Sequence, residues 1–284
     1  MSVTSRLVDP SSAKRALRSL LPQSILNWRE RNYFSAYGEH EMHLVEFLCR
    51  RDRDAIDVGA NYGGYVHFMR RYARRVFAFE PIPEMARLLR LKFGRDVVVE
   101  QVALSNRSGH SRLCTPIVDG VAVDGCATLS TSALSTSIYA THHDVEVRAD
   151  LLDNVYSGAL GFIKIDVEGH EQAVLDGAVQ TIGRCLPRIL VEIEEQLSPG
   201  GLDRARSFFS RFDYRGYYVH AGRLKSIDQF LVAEMQNPLH RISLTSTLRE
   251  VAPSRDYVNN FIFLPPNEPR STLDRIGERL ARRA

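Results

Sequence analysis

Short apolar runs alternate with helix-period segments through the middle of the chain. "AIDVG" (55–59), "RVFAFE" (75–80), "VVVEQVAL" (97–104), "FIKIDV" (162–167) and "RILVEIE" (188–194) each read as strands. Between them, the spacing predicts helices through Tyr65–Tyr72, through "PEMARLLRLKF" with Pro83 near its first turn, and through Val174–Ile182. Strand and helix alternating at this rhythm predict an α/β fold, a parallel sheet covered on both faces. Leu17, Leu20 and Leu21 recur at helical spacing behind Ser12 until Pro22 interrupts them, and Met42, Val45 and Leu48 mark a further helix. Late in the chain "YYVH" and "NNFIFLP" read as strands, and Leu273, Ile276 and Leu280 place a final helix in the tail. Three parts follow: a helical extension or lid over residues 1–50, the main domain over 51–265, and a helical tail over 266–284. From Ser105 to Ala149 helical periodicity is lacking. "SRLCTPI" and "VEVRA" are candidate short strands there, flanking a Ser/Thr-rich stretch that reads as a long loop.

The first chemical signal is "DVGANYGGY", at the end of one predicted strand and the start of a helix. In open parallel sheets, ligands bind where strands deliver their carboxyl ends. Gly59, Gly63 and Gly64 would let a ligand approach the backbone without a Cβ in the way. Glu80 ends the next strand, where its carboxylate can accept hydrogen bonds from the hydroxyls of a ribose. A glycine turn with a strand-end acid is a nucleoside-binding arrangement, although such a turn can also serve packing alone. Asn61 stands where the dinucleotide fingerprint needs its second glycine. A nicotinamide-dependent oxidoreductase is therefore disfavoured, and a cofactor without a diphosphate, S-adenosyl-L-methionine, fits better.

At these residues the sequence resembles a known family. "AIDVGANYGGY", "FAFEPIP", "VALSNRSG", "FIKIDVEGHEQAVLDGA" and "PRILVEIEE" follow the order and spacing of the FkbM family of S-adenosylmethionine-dependent methyltransferases. The resemblance covers roughly Ala55 to Glu195. It implies a Rossmann-like class I methyltransferase fold, with a seven-stranded, mostly parallel sheet whose last strand is antiparallel. It also implies O-methylation, often of sugars or other secondary metabolites. For the cofactor it implies Asp57, Gly59, Asn61 and Gly63 in the first turn, Glu80 at the ribose, and Ala103, Leu104 and Ser105 beside the adenine. The family's Leu-Asp-Asp-like element becomes "LLDN" here, with Asp153 in place.

The second signal is the charge in "IKIDVEGHE". Asp166 falls at the carboxyl end of a fourth parallel strand, beside the expected methyl donor. Alternation puts Lys164 on its side, opposite Ile163 and Ile165, where the lysine neutralises the acidic cluster. His170 is the candidate general base, because an unperturbed imidazole is neutral near pH 7 and still accepts a proton. Asp166 is the candidate to orient it or to touch the acceptor hydroxyl, and Glu168 is a second candidate base. The plainer readings are a packed, satisfied His170 and acids that favour a helix start. Asp166 with Glu192 or Glu194 would form an oxygen-ligand site for Mg²⁺. No complete ligand set supports that site, so a metal is not favoured. His142 and His143 in the loop, and Trp28, Tyr33 and Tyr37 in the extension, are further candidates to meet a substrate, with solvated or packed positions as the ordinary alternative.

Composition narrows the class. The 284 residues are 44% hydrophobic and 25% charged, with a net charge of +3 and no concentrated basic stripe, which argues against nucleic acid. Four dispersed cysteines (Cys49, Cys114, Cys126, Cys185) include no C-x-x-C pair, so neither a zinc cluster nor a disulfide framework is expected. Neither a secretory leader nor a membrane-spanning run is evident, so a cytoplasmic protein is expected. The reading is an O-methyltransferase acting on a small-molecule hydroxyl, with terminal helices that offer surfaces for self-association. A methyltransferase-like subunit that binds without catalysing is the non-enzymatic alternative.

Overall fold

A computed structural model describes residues 22–118, 121–122, 127–129, 141–237 and 257–282. Leu17, Leu20, Leu21 and Cys126 lie outside these residues. The central sheet uses β1 (Asp54–Val58), β2 (Val76–Phe79), β3 (Val97–Glu100), β8 (Leu160–Ile165), β9 (Arg188–Glu192), β10 (Arg215–His220), β11 (Arg223–Ser226) and β12 (Asn260–Leu264). Their order is β11-β10-β12-β9-β8-β1-β2-β3. The five strands from β9 to β3 are parallel, and β12 enters antiparallel between β9 and β10. The expected seven strands with an antiparallel last strand are present, and β11 pairs with β10 as an eighth at the edge.

Every residue of β1 and of β8 is buried, the mark of parallel strands covered on both faces. One face carries Ile56, Val58, Ile163, Ile165, Val191 and Phe263 against α6 (Glu171–Asp176), α7 (Val179–Cys185) and α8 (Gly201–Ser210). The other carries Ala55, Phe162, Leu190 and Ile262. It is covered by residues 42–49, α3 (Val66–Tyr72), α4 (Pro83–Phe93) and α9 (Arg270–Ala281). Pro83 opens α4 at a position where its missing N–H has no helical partner to lose. Pro22 likewise precedes α1 (Gln23–Tyr37), and the segment around Met42–Leu48 is a 3₁₀ turn followed by the single turn α2 (Val45–Leu48).

Three elements differ from the sequence pattern. "VVVEQVAL" is two strands: β3 stays in the main sheet, while β4 (Ala103–Leu104) leaves it to pair with β7 (His142–Asp150). The two candidate short strands after Ser105 are present and longer than expected, and the Ser/Thr-rich stretch read as a loop between them lies mostly outside the described residues. β5 (Gly109–Val118) and β7 form a long antiparallel pair, with β6 (Val121–Ala122) on β5, in a separate small sheet. The helix expected through Val174–Ile182 is broken at Gly177, where a Cβ would lie 2.0 Å from the Ser105 carbonyl oxygen. The halves are α6 and α7, and Asp153, in the one-turn α5 (Leu152–Val155), accepts the amides of Gln180 and Thr181 at the start of α7.

Among the described residues, no helix is long and apolar enough to cross a membrane. Phe263 of β12 stacks on Phe209 of α8 with ring centroids 4.0 Å apart, and both are buried. Phe263→Ala is expected to lower stability by about 3–5 kcal/mol, read as a lower urea midpoint at unchanged slope.

Candidate active site

The turn after β1 takes its shape from two glycines and one asparagine. Gly59 has φ +75°, and a Cβ there would lie 1.9 Å from the Asp166 carbonyl oxygen. Only glycine lets the ends of β1 and β8 approach this closely. Gly63 has φ +78°, but a Cβ there would meet Phe93 Cε2 at 2.7 Å and Leu89 Cδ2 at 2.9 Å. Its task is therefore packing against α4 rather than access for a ligand, which corrects the ligand-approach reading at that position. Gly64 faces Met42 and Phe34 in the same way. Between them, Asn61 adopts φ 44°.

Glu80, buried at the end of β2, holds this turn. Its Oε2 accepts the Asn61 amide and its Oε1 the Ile82 amide, each at 2.8 Å. The carboxylate is thereby oriented before any ligand arrives. It stands in the wall of a cavity of about 640 Å³, open mouth included, between the ends of β1, β2 and β8. Val58, Gly59 and Asn61 line one side; Ile82, Ala103 and Leu104 line another; Asp166, Val167, Glu168 and His170 close the third. The small sheet adds Leu113, with Ala127 and Leu129 beside it. The cavity thus has a polar corner at Glu80 and Asn61 and an apolar slot at Ile82, Ala103, Leu113 and Leu129. Among the described residues the Asn61 Oδ1 is buried with no protein partner, a polar atom that a bound ligand would satisfy. The polar corner and the apolar slot together fit an adenosyl group.

At the far rim the charge gathers around one lysine. Lys164 is fully buried, and its Nζ lies 3.6 Å from Asp166 Oδ2, 3.7 Å from Glu192 Oε2 and 3.3 Å from Asn260 Oδ1. The Tyr65 ring lies under the ammonium at 5.1 Å. Burial opposes its charge, but the surrounding carboxylates of Asp166, Glu39, Glu192 and Asp57 outweigh it and raise its pKa. Asp57, Lys164's register partner on β1, is pushed up to about 7, chiefly by burial. Burial and then Asp166 raise Glu192 well above the carboxylate range. An ammonium already stands between Asp166 and Glu192, where the proposed magnesium would need to bind. Glu194 instead accepts from Asn259 Nδ2 at 3.3 Å.

His170 is in the cavity wall, where a serine and burial constrain its ring. Its Nε2 and the Ser105 Oγ are 2.9 Å apart, and burial, helped by Arg107, lowers its pKa to about 4. Glu168 (φ 49°) and Gly169 (φ 90°) turn the chain sharply before α6, which begins at Glu171 rather than near Glu168. Glu171 Oε1 accepts the Gly169 amide at 2.7 Å and steadies that turn.

Of the expected site residues, Gly59, Asn61, Glu80, Ala103, Leu104, Asp166, Glu168 and His170 meet in one cavity. Asp57 and Ser105 are buried behind its wall. His142 and His143 are exposed on β7, and Trp28, Tyr33 and Tyr37 are exposed on α1; none of them lines the cavity. Sequence reasoning missed Leu113, Ala127 and Leu129. Leu113 lies in one of the two candidate short strands and Val145, Val147 and Ala149 alternate in the other, a signal that placed a sheet there but not beside the cavity.

The Methyltransferase FkbM domain profile matches residues 57–216. Among solved structures similar to the chain is a methyltransferase FkbM from Methylobacillus flagellatus KT. It is 16% identical at a TM-score of 0.46, covering 75% of this chain and 44% of that one. The chain thus spans less than half the length of that protein. An O-methyltransferase from Bacillus cereus in complex with SAH is 12% identical, covers 91% of both chains and has a TM-score of 0.37. A SAM-dependent O-methyltransferase from Thermotoga maritima is 11% identical, covers 80% of this chain and 64% of that one, and scores 0.34. No curated protein matches the sequence.

Two outcomes are expected from this geometry. Lys164→Met leaves buried carboxylates without their cation and should cost about 3–5 kcal/mol at pH 7. That deficit, read by urea unfolding, should narrow in acid as the carboxylates take up protons. In NMR titrations the His170 imidazole should stay neutral from pH 8 to below its ordinary 6.5 and protonate near 4. Because its folded pKa is depressed, the stability it contributes is present above about 6.5 and is lost as pH falls through about 4.

Proposed function

The chain belongs to the FkbM methyltransferase family, and from that premise we propose that it is an S-adenosylmethionine-dependent O-methyltransferase. Its acceptor is a hydroxyl of a small molecule, a sugar or glycosylated secondary metabolite. The observation that carries this reading is the Glu80 carboxylate, held by two backbone amides at the polar corner of a cavity whose remaining wall is an apolar slot. Glu80 and Asn61 would hold the ribose, with Ile82, Ala103, Leu104 and Leu113 against the adenine.

When bound, the cofactor's sulfonium supplies an electrophilic methyl group. The chain's own contribution is to place an acceptor oxygen in line with it, a positioning effect worth up to about 7–11 kcal/mol in favourable models. Asp166 stands at the rim with its side chain 31% exposed, and Lys164 lies on its Oδ2 side. This carboxylate is the group to accept the acceptor hydroxyl's hydrogen bond and then its proton, a contribution of about 10²–10⁴-fold. Glu168 shares the rim and is the second candidate. His170, neutral and tied to Ser105, is a positioning residue of the wall.

Calorimetry should show S-adenosylhomocysteine binding to the purified protein. Glu80→Gln keeps the shape but removes the charge that the ribose hydroxyls meet, so affinity should fall about 10–100-fold. Failure of the folded wild-type protein to bind S-adenosylhomocysteine would sink the proposal. Asp166→Asn should lower kcat about 10²–10⁴-fold with little change in that affinity. His170→Ala should leave the shape of the pH–rate profile near 6.5 unaltered; loss of a limb there would return the histidine to the proton transfer.

A further inference from the structure

The small sheet carries a cluster of groups that the proposed reaction does not use. β5 and β7 pair so that Cys114 lies directly opposite Asp144, and Pro116 opposite His142. Alternation sends Leu113, Val145 and Val147 to the side of the apolar cluster beside the cavity. Cys114, Asp144 and His142 therefore turn to the other side, and their ligand atoms all lie within 4.8 Å of one another. His142 Nε2 is 3.5 Å from Asp144 Oδ1, while Arg112 Nη1 approaches the second oxygen, Oδ2, at 3.6 Å. Cys114 is buried and the other two are exposed, so a thiol forms the floor and two movable side chains form the rim.

A thiolate, an imidazole and a carboxylate together suit a borderline-soft divalent ion, and three protein ligands leave a position for solvent. Zinc–ligand bonds of about 2.0–2.3 Å place donor atoms about 3.3–3.8 Å apart in a tetrahedron. Small rotations of the exposed His142 and Asp144 side chains close the remaining gap. We propose that Cys114, His142 and Asp144 form a binding site for a zinc-type divalent cation on the outer face of the β5–β7 pair. On ligation the Cys114 S–H bond breaks, its proton passes to solvent, and the sulfur lone pair binds the metal; no redox change occurs.

The site sits one step from the cofactor cavity. The Cys114 backbone exchanges two 2.9 Å hydrogen bonds with Thr128, and the Thr128 hydroxyl donates to the Glu168 carbonyl at 2.6 Å. An ion on Cys114 thus braces the segment whose neighbours Ala127 and Leu129 line the cavity. The site stands on its own geometry and does not depend on the reaction proposed above.

Cobalt(II) titration of the full-length protein is the test. The wild type should develop a thiolate-to-cobalt charge-transfer band that saturates at one ion per chain and is displaced by Zn²⁺. Cys114→Ser should abolish the band, and Cys185→Ser should leave it intact. His142→Ala, at an exposed position that does not threaten folding, should weaken cobalt binding at least tenfold. A wild type with no saturable band, a band that survives in Cys114→Ser, or unchanged affinity in His142→Ala would each overturn the proposal. In the first case the three groups are a hydrogen-bonded cluster only.

Discussion

The ammonium of Lys164 is the interaction on which the site depends. It lies at the carboxyl end of β8, in register with Asp57 of β1, and reaches Asp166, Glu192 and Asn260. Glu39 joins the same network: its Oε2 accepts from Tyr65 Oη at 2.5 Å and from Asn260 Nδ2 at 3.1 Å. One buried cation thus ties four strands and the segment before α2 at one edge of the sheet. Burying such an ion costs several kcal/mol before its partners compensate. Its use is better understood as geometry than as stability, because it determines where the Asp166 carboxylate stands.

A second constraint joins the two halves of the cavity. The turn after β1 touches the backbone of Asp166 across Gly59, so the Glu80–Asn61 corner and the Asp166 rim cannot move independently. The small sheet completes the enclosure from outside the main sheet. It supplies Leu113 directly, and through Thr128 it grips the Glu168 carbonyl. The apolar slot of the cavity is therefore built in part from outside the main sheet.

Much of this was legible in the chain. Five apolar runs predicted the parallel core because strands covered on both faces need continuous apolar sequence. The glycine turn and Glu80 pointed to what is one corner of the cavity because both residue types fall at successive strand ends. What stayed hidden depended on partners distant in sequence. Nothing local to His170 says that Ser105 engages it or that burial depresses its pKa. Gly63 looked like ligand access until α4 proved to fill the space a side chain would take. The break between β3 and β4 follows from a pairing with β7, some 45 residues away. The Ser/Thr-rich stretch read as a loop lies mostly outside the described residues, and the two candidate strands that flank it form the small sheet.

The most direct test of the central claim is a crystal structure of the protein with S-adenosylhomocysteine bound. Both ribose hydroxyls should lie within hydrogen-bond distance, roughly 2.5–3.2 Å, of the Glu80 carboxylate, with the adenine between Ile82 and Leu113 and the sulfur facing Asp166. A nucleoside bound elsewhere, or one in this cavity with its sulfur turned away from Asp166, would contradict the account.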